Sequence, residues 1–242
     1  MDRVVYERMS ALEEEHWWFA ARRKLIHAIL NRSICLPSSP RILEAGCGTG
    51  GNLSLLRKFG DVDAFEFDET ARQIAITKSG LPIAPGELPT NIPFGTMTYD
   101  VICLFDVLEH IRDDGSSLSA LRARLSSDGY IVLTVPAFPA LWSRHDERHH
   151  HFRRYTKRSV EDLAGLASLR VVKDGYYNTA LLPIAVATRA INGILKREVA
   201  DEAMPRPIVN KSLYKIFSAE RHLIGRVRIP LGLSFFAILQ LK

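Results

Sequence analysis

Cysteine is scarce in this chain, three in 242 residues. Cys35, Cys47 and Cys103 are odd in number, widely spaced and set among apolar or glycine-rich neighbours. No disulfide framework is expected, and a reducing, cytoplasmic compartment is. Long apolar runs are also missing. No stretch reaches the roughly 18 uncharged apolar residues that a membrane-spanning helix needs, and the longest, residues 179–187, falls well short. Residues 1–15 are acidic and carry no apolar core, so no secretory leader is expected. Internal repeats and low-complexity tracts are absent as well. Neither sign of charge dominates: 32 Lys and Arg stand against 27 Asp and Glu, a net +5. The excess gathers in residues 144–158, which are dense in Arg, Lys and His. Such a balance suits an anionic substrate, a nucleic acid or a membrane surface and selects none of them.

What remains is an ordinary globular composition, 47% hydrophobic and 24% charged, enough for one domain with a small appendage. Residues up to about 32 read as helical, with apolar positions at helical spacing, and Leu36-Pro37-Ser38-Ser39-Pro40 breaks the pattern. Strands and helices then alternate. Strands are expected at residues 41–44, 64–67, 81–84, 99–104 and 130–135, with helices at 52–59, 69–78 and 116–125 between them. That alternation calls for a parallel sheet covered on both faces. After Pro136 comes a long polar loop, residues 137–154. A helix at 157–167, a strand at 170–177, helices at 181–196 and 211–224 and a last strand at 234–241 follow. A helical insertion is therefore expected at about 180–228, before the last strand.

Gly46, Gly48 and Gly51 satisfy G-x-G-x-x-G, with Glu66 about twenty residues further on, as a dinucleotide fingerprint asks. Glycines let the backbone turn sharply against a ligand, and a carboxylate at a strand end accepts hydrogen bonds from ribose hydroxyls. On these residues alone an NAD-dependent oxidoreductase is an open alternative.

The wider run Ile42-Leu43-Glu44-Ala45-Gly46-Cys47-Gly48-Thr49-Gly50 resembles motif I of class I methyltransferases that use S-adenosylmethionine (SAM). Glu44 before the first glycine and the Gly-Thr-Gly close carry that likeness. Glu66 matches the ribose-binding acid, followed here by Phe67. Gly86-Glu87-Leu88 resembles the segment whose acid meets the adenine amino group, with Glu in place of the usual Asp. Phe105-Asp106-Val107-Leu108-Glu109-His110 resembles motif IV. The resemblance implies a Rossmann-like α/β fold with a seven-stranded mixed sheet, helices on both faces and an antiparallel last strand. It also implies SAM as cofactor, held by Glu44, Gly46, Gly48, Gly50, Glu66, Phe67, Glu87, Leu88 and Phe105.

The flanks resemble a narrower bacterial subset that carries Glu-x-x-His-Trp-Trp-Phe-x-x-Arg-Arg, here residues 13–23. Members of it sit among enzymes of glycan, lipid and natural-product synthesis. Residues 1–36 are expected to form an N-terminal helical lid on a methyltransferase domain spanning 37–242. In the lid reading Trp18 closes over the sulfonium and Arg22 pairs with the SAM carboxylate; an aromatic anchor for the N-terminal helix is the other reading.

If a helix begins just after the fourth strand, Asp106, Glu109 and His110 share a face at the ligand-binding edge. His110 and His151 are the candidate bases for an O or N acceptor on a small-molecule, glycan or lipid-linked intermediate. Asp106-x-x-Glu109-His110 with His151 is also similar to the divalent-metal set of small-RNA 3′-end 2′-O-methyltransferases. A metal-assisted RNA enzyme is thus a further alternative, although the basic loop is too short to argue for nucleic acid. The 181–196 helix, apolar on most faces and ending in Lys196-Arg197, suits a pocket cap, a homodimer contact or a peripheral membrane contact.

Overall fold

The computed structural model describes Tyr6, residues 10–195 and residues 204–242. The elements in order are α1 (Trp17–Ser33), β1 (Arg41–Ala45), α2 (Leu53–Leu56), β2 (Asp61–Glu66), α3 (Glu69–Ser79), β3 (Ile83–Pro85), β4 (Tyr99–Phe105), α4 (Asp114–Arg122) and β5 (Leu125–Pro136). Then come α5 (Arg144–Arg148), α6 (Lys157–Leu166), β6 (Leu169–Tyr177), α7 (Leu182–Leu195), α8 (Pro207–Ala219) and β7 (Ser234–Leu241). The seven strands form one sheet in the order β3-β2-β1-β4-β5-β7-β6. β1 to β5 pair in parallel, while β7 runs antiparallel to both β5 and β6. The expected seven-stranded mixed sheet with its antiparallel last strand is therefore the fold.

Strand period divides the core. Alternate side chains point to opposite faces, so Leu43, Ile102, Leu104, Ile131 and Leu133 pack with α4 and α6. Ile42, Val101, Cys103, Val132 and Ile238 face the other way, toward α1 and α8. α1 buries Ala21, Arg22, Leu25, Ile26, Ile29 and Leu30 on that second face. Its N-cap is His16, whose ring accepts the Trp18 N–H at 3.3 Å.

Four local readings are corrected. The helix expected at 52–59 holds only Leu53–Leu56, because the chain then tightens into i→i+3 turns, Lys58 N–H donating to Leu55 and Phe59 N–H to Leu56. No helix starts directly after β4. Asp106 takes a left-handed backbone (φ +59°), and a single 3₁₀ turn, Leu108–His110, follows before α4. Asp106, Glu109 and His110 are thus grouped by a tight turn rather than by one helix face. The polar stretch after Pro136 is not all loop, since Ser143 and Asp146 form a reciprocal capping box that nucleates α5. The helix expected at 211–224 starts earlier, at Pro207, where proline suits a first turn, and ends at Ala219.

α7 and α8 occupy the insertion between β6 and β7. Lys196 and Arg197, the basic end expected there, lie outside the described residues, as do residues 1–5 and 7–9 of the N-terminal segment. Among the described residues no helix is long and apolar enough to cross a membrane.

Candidate active site

The strand order reverses between β1 and β4, and open α/β sheets bind ligands at such a switch point, beyond the carboxyl ends of the strands. A cleft of about 1610 Å³ opens there, lined by the segments that follow β1, β2, β3, β4 and β5, by the start of α1, and by residues of α5 and α7.

Three glycines with positive φ shape the turn after β1: Gly46 (+73°), Gly48 (+54°) and Gly50 (+82°). Open space lies where a Gly48 Cβ would point, so the backbone itself faces the cleft. Gly50 does not line the cleft; it lies under the loop, where a Cβ would meet Ala75 and Leu53 at 3.1 Å. Glu66, at the end of β2, braces the loop. Its Oε2 accepts the Gly48 N–H at 2.8 Å and its Oε1 the Asp68 N–H at 3.0 Å. Burial raises its pKa, against the pull of those two N–H groups. Phe67 beside it is 68% exposed at the rim.

Glu44 lies beneath the loop, 1% exposed. Asn52 Nδ2 donates to its Oε1 at 3.0 Å, while Oε2 is buried with no partner. Burial pushes this carboxyl up to about 8. A buried acceptor aimed at a cationic or N–H-bearing ligand has this character. Glu87 is exposed on a small turn closed by reciprocal backbone bonds to Asn91, and Leu88 is buried beside it. With the brace at Glu66, the unpaired Glu44 oxygen and the open face of Gly48, the residues fit a nucleoside bearing an amino-acid tail.

Arg22, on α1, lies between aromatic rings, its guanidinium carbon 5.1 Å from the Trp18 ring centre and 5.9 Å from that of Phe105. It pairs with Asp106 Oδ2 at 2.5 Å and donates to Thr134 at 3.2 Å. Burial works against its charge, but Asp106, Tyr177 and Glu109 together more than offset it and raise the Arg22 pKa. Trp18 and Arg22 both border the cleft.

His110 and His151 meet at the other end, ring centres 4.6 Å apart and nearly perpendicular. His151 Nδ1 is 2.9 Å from Asp146 Oδ1, and the same oxygen accepts from Arg154 Nε at 2.8 Å. Asp146 is fully buried. Although burial alone would raise its pKa, the bonds from His151 and Arg154 hold it well below the usual carboxylate range. Burial and the neighbouring His151 push His110 down to about 3, so its ring is neutral. Glu109 is 1% exposed, and burial with nearby Asp106 holds its carboxyl well above the ordinary range.

Three participants escaped the sequence. Glu13 is buried, accepts from the Thr49 hydroxyl at 2.6 Å and pairs with Lys78 at 2.5 Å. It ties the N-terminal segment to the glycine loop; its place as the first residue of the 13–23 motif was the available signal. Tyr6 lines the cleft, its hydroxyl pKa raised by burial and by Glu66. Asp146, within the polar stretch at 137–154, turns inward; its place in a capping box was the available signal.

Residues 15–174 match the model of the methyltransferase domain family. Among curated proteins, the chain is 28% identical over 148 residues to the biotin biosynthesis bifunctional protein BioCD of Bordetella avium, covering 56% of this chain and 31% of that protein. It is 26% identical over 130 residues to a probable S-adenosylmethionine-dependent methyltransferase of Mycolicibacterium smegmatis, covering 53% and 49%. The chain thus spans from under a third to about half the length of these curated relatives. A SAM-dependent methyltransferase from Archaeoglobus fulgidus shares the fold, with a TM-score of 0.56 at 16% identity over 90% of this chain and 93% of that one. A glycine loop that also suited an NAD enzyme is thereby assigned. The chain belongs to the methyltransferase domain family, and its sheet order and loop are those of the class I, SAM-dependent enzymes.

Proposed function

We propose that this chain transfers a methyl group from SAM to an oxygen or nitrogen nucleophile of a small-molecule, glycan or lipid-linked biosynthetic intermediate. The observation that carries the reading is the joining, in one cleft, of the Gly48–Glu66 loop brace to a histidine-lined end built on Asp146. When bound, SAM supplies a methyl group on a sulfonium. Glu44, Gly46 and Gly48 would take its amino-acid tail, Glu66 the ribose, and Glu87, Leu88 and Phe67 the adenine. Phe105 and Trp18 would supply ring faces, and Arg22 a cation held in place by Asp106.

Catalysis then comes mainly from orientation in a water-poor cleft. His110 and His151 stand at the acceptor end, and Asp146 fixes the orientation of His151. Residues 1–36 act as the lid, since Glu13 fastens to Thr49 while His16, Trp17 and Trp18 border the cleft. Residues 37–242 form the methyltransferase domain. A lipid-linked acceptor is supported by the insertion: Ala185 and Thr188 of α7 border the cleft, and Ile208 of α8 is 82% exposed near Lys211 and Lys215.

The test is transfer of radiolabelled methyl from SAM into aqueous and organic extracts of cells. Label should enter a product whose methyl resides on oxygen or nitrogen, and Glu66→Ala should give none. Tight SAM binding without transfer to any hydroxyl- or amine-bearing fraction would rule the reading out in favour of a SAM-binding regulator.

A further inference from the structure

We infer that Glu109, His110 and His151 form a binding site for one divalent transition-metal ion of the zinc type at the acceptor end of the cleft. One ligand atom from each of the three lies within 4.8 Å of the other two. Two imidazoles and a carboxylate, with the remaining positions facing a cleft, are the ligand set of open zinc sites, and cobalt(II) and manganese(II) accept the same donors.

The surroundings are what a metal site requires and a solvated histidine patch lacks. A ligating histidine usually donates its second ring N–H to a carboxylate or a carbonyl, which fixes tautomer and ring plane. Both rings meet that condition. His151 Nδ1 is engaged by Asp146 at 2.9 Å, leaving Nε2 as its donor. The His110 ring hydrogen-bonds the backbone of His149. Asp146 is itself immobile: besides Arg154 it accepts the Ser143 N–H at 2.8 Å and is wholly buried.

The third ligand supplies an independent observation. Glu109 is 1% exposed, and its Oε2 has no hydrogen-bond partner. An unpartnered buried carboxyl oxygen is costly, and a cation between it and the two rings removes that cost. The two contributing segments are also locked together, since the Phe152 N–H donates to the Glu109 carbonyl at 2.7 Å. Such an ion supplies Lewis-acid stabilisation of charge on an acceptor oxygen. That role rests on the methyl-transfer reading, whereas the existence of the site does not.

The experiment is a titration of the tag-free, chelator-dialysed full chain with cobalt(II) alone, followed by visible absorption, with zinc as competitor. One ion per chain should bind with ligand-field bands, and zinc should displace it. His110→Ala, His151→Ala and Glu109→Gln should each weaken binding by about 100-fold or more. Asp146→Asn, which touches no ion, should weaken it by about 10- to 100-fold. Circular dichroism and SAM binding by the same variants separate loss of the site from loss of fold. No stoichiometric binding by the wild-type chain overturns the inference, whatever the variants do. Wild-type affinity retained in both His110→Ala and His151→Ala overturns it too, placing the ion elsewhere. Metal binding without methyl transfer leaves the site standing and removes the function. Methyl transfer that survives chelation, with no ion bound, keeps the function and removes the Lewis-acid role.

Discussion

Glu44 offers a sharp test of how the cofactor loop is built. Its carboxyl is fully buried, and burial pushes its pKa from 4.5 to about 8. Between those values the folded chain keeps a proton that the unfolded chain releases. The folded state binds more protons, so stability falls as pH rises through this window. Below about 4.5 the residue costs nothing, and above about 8 the cost is complete, roughly 3–5 kcal/mol at about 1.4 kcal/mol per unit. Glu44→Gln removes the charge and keeps an oxygen for Asn52 Nδ2 to donate to. Urea unfolding of both chains at about pH 4.5 and about pH 8.5 measures the effect. At the lower pH the two should match to within about 1 kcal/mol. At the higher pH the glutamine variant should be the more stable by several kcal/mol. Parallel stability profiles for the two chains would refute the reasoning, because Glu44 would then ionise in the folded state as freely as in water.

Asp146→Asn leaves Arg154 buried without its counter-charge, and loss of about 3–5 kcal/mol of stability is expected in thermal or denaturant unfolding. Because the native Asp146 carboxyl sits below its ordinary range, its stabilisation holds above the unfolded pKa and fades only in strong acid. A variant within about 0.5 kcal/mol of wild type across neutral pH would contradict the buried pair. Glu13→Ala cuts the N-terminal segment from Thr49 and Lys78. SAM should bind about tenfold or more weakly, as expected for lost charge-assisted hydrogen bonds. Limited proteolysis should also cut faster ahead of Trp17, and unchanged cleavage and affinity would dismiss the tie.

The fold was legible in the sequence because its signals are local and periodic. Buried parallel strands read as short apolar runs, and the Leu36–Pro40 breaker and Gly80 end their helices where expected. The glycine-loop end of the cleft was legible too, since Gly48 and Glu66 are fixed by loop geometry that few residue types satisfy. What stayed hidden depends on contacts distant in sequence. Glu13 finds Thr49 and Lys78 across 36 and 65 positions. Arg22 finds Thr134 across 112 and, beside it, Asp106. The grouping of Asp106, Glu109 and His110 was right in outcome and wrong in cause, because a left-handed residue and a 3₁₀ turn replace the helix that periodicity favoured.

The glycine loop is expected to hold SAM. Calorimetric titration of SAM into the wild-type chain, Glu66→Ala and Gly48→Val tests it most directly. The wild type should bind one SAM per chain. Glu66→Ala should lose about 100-fold or more, the worth of two hydrogen bonds to a charged group. Gly48→Val forces a β-branched residue to φ > 0 and fills the open face of the loop, so it should give no binding heat. Undiminished affinity in both variants, or no binding by the wild type, would show that the loop does not hold SAM.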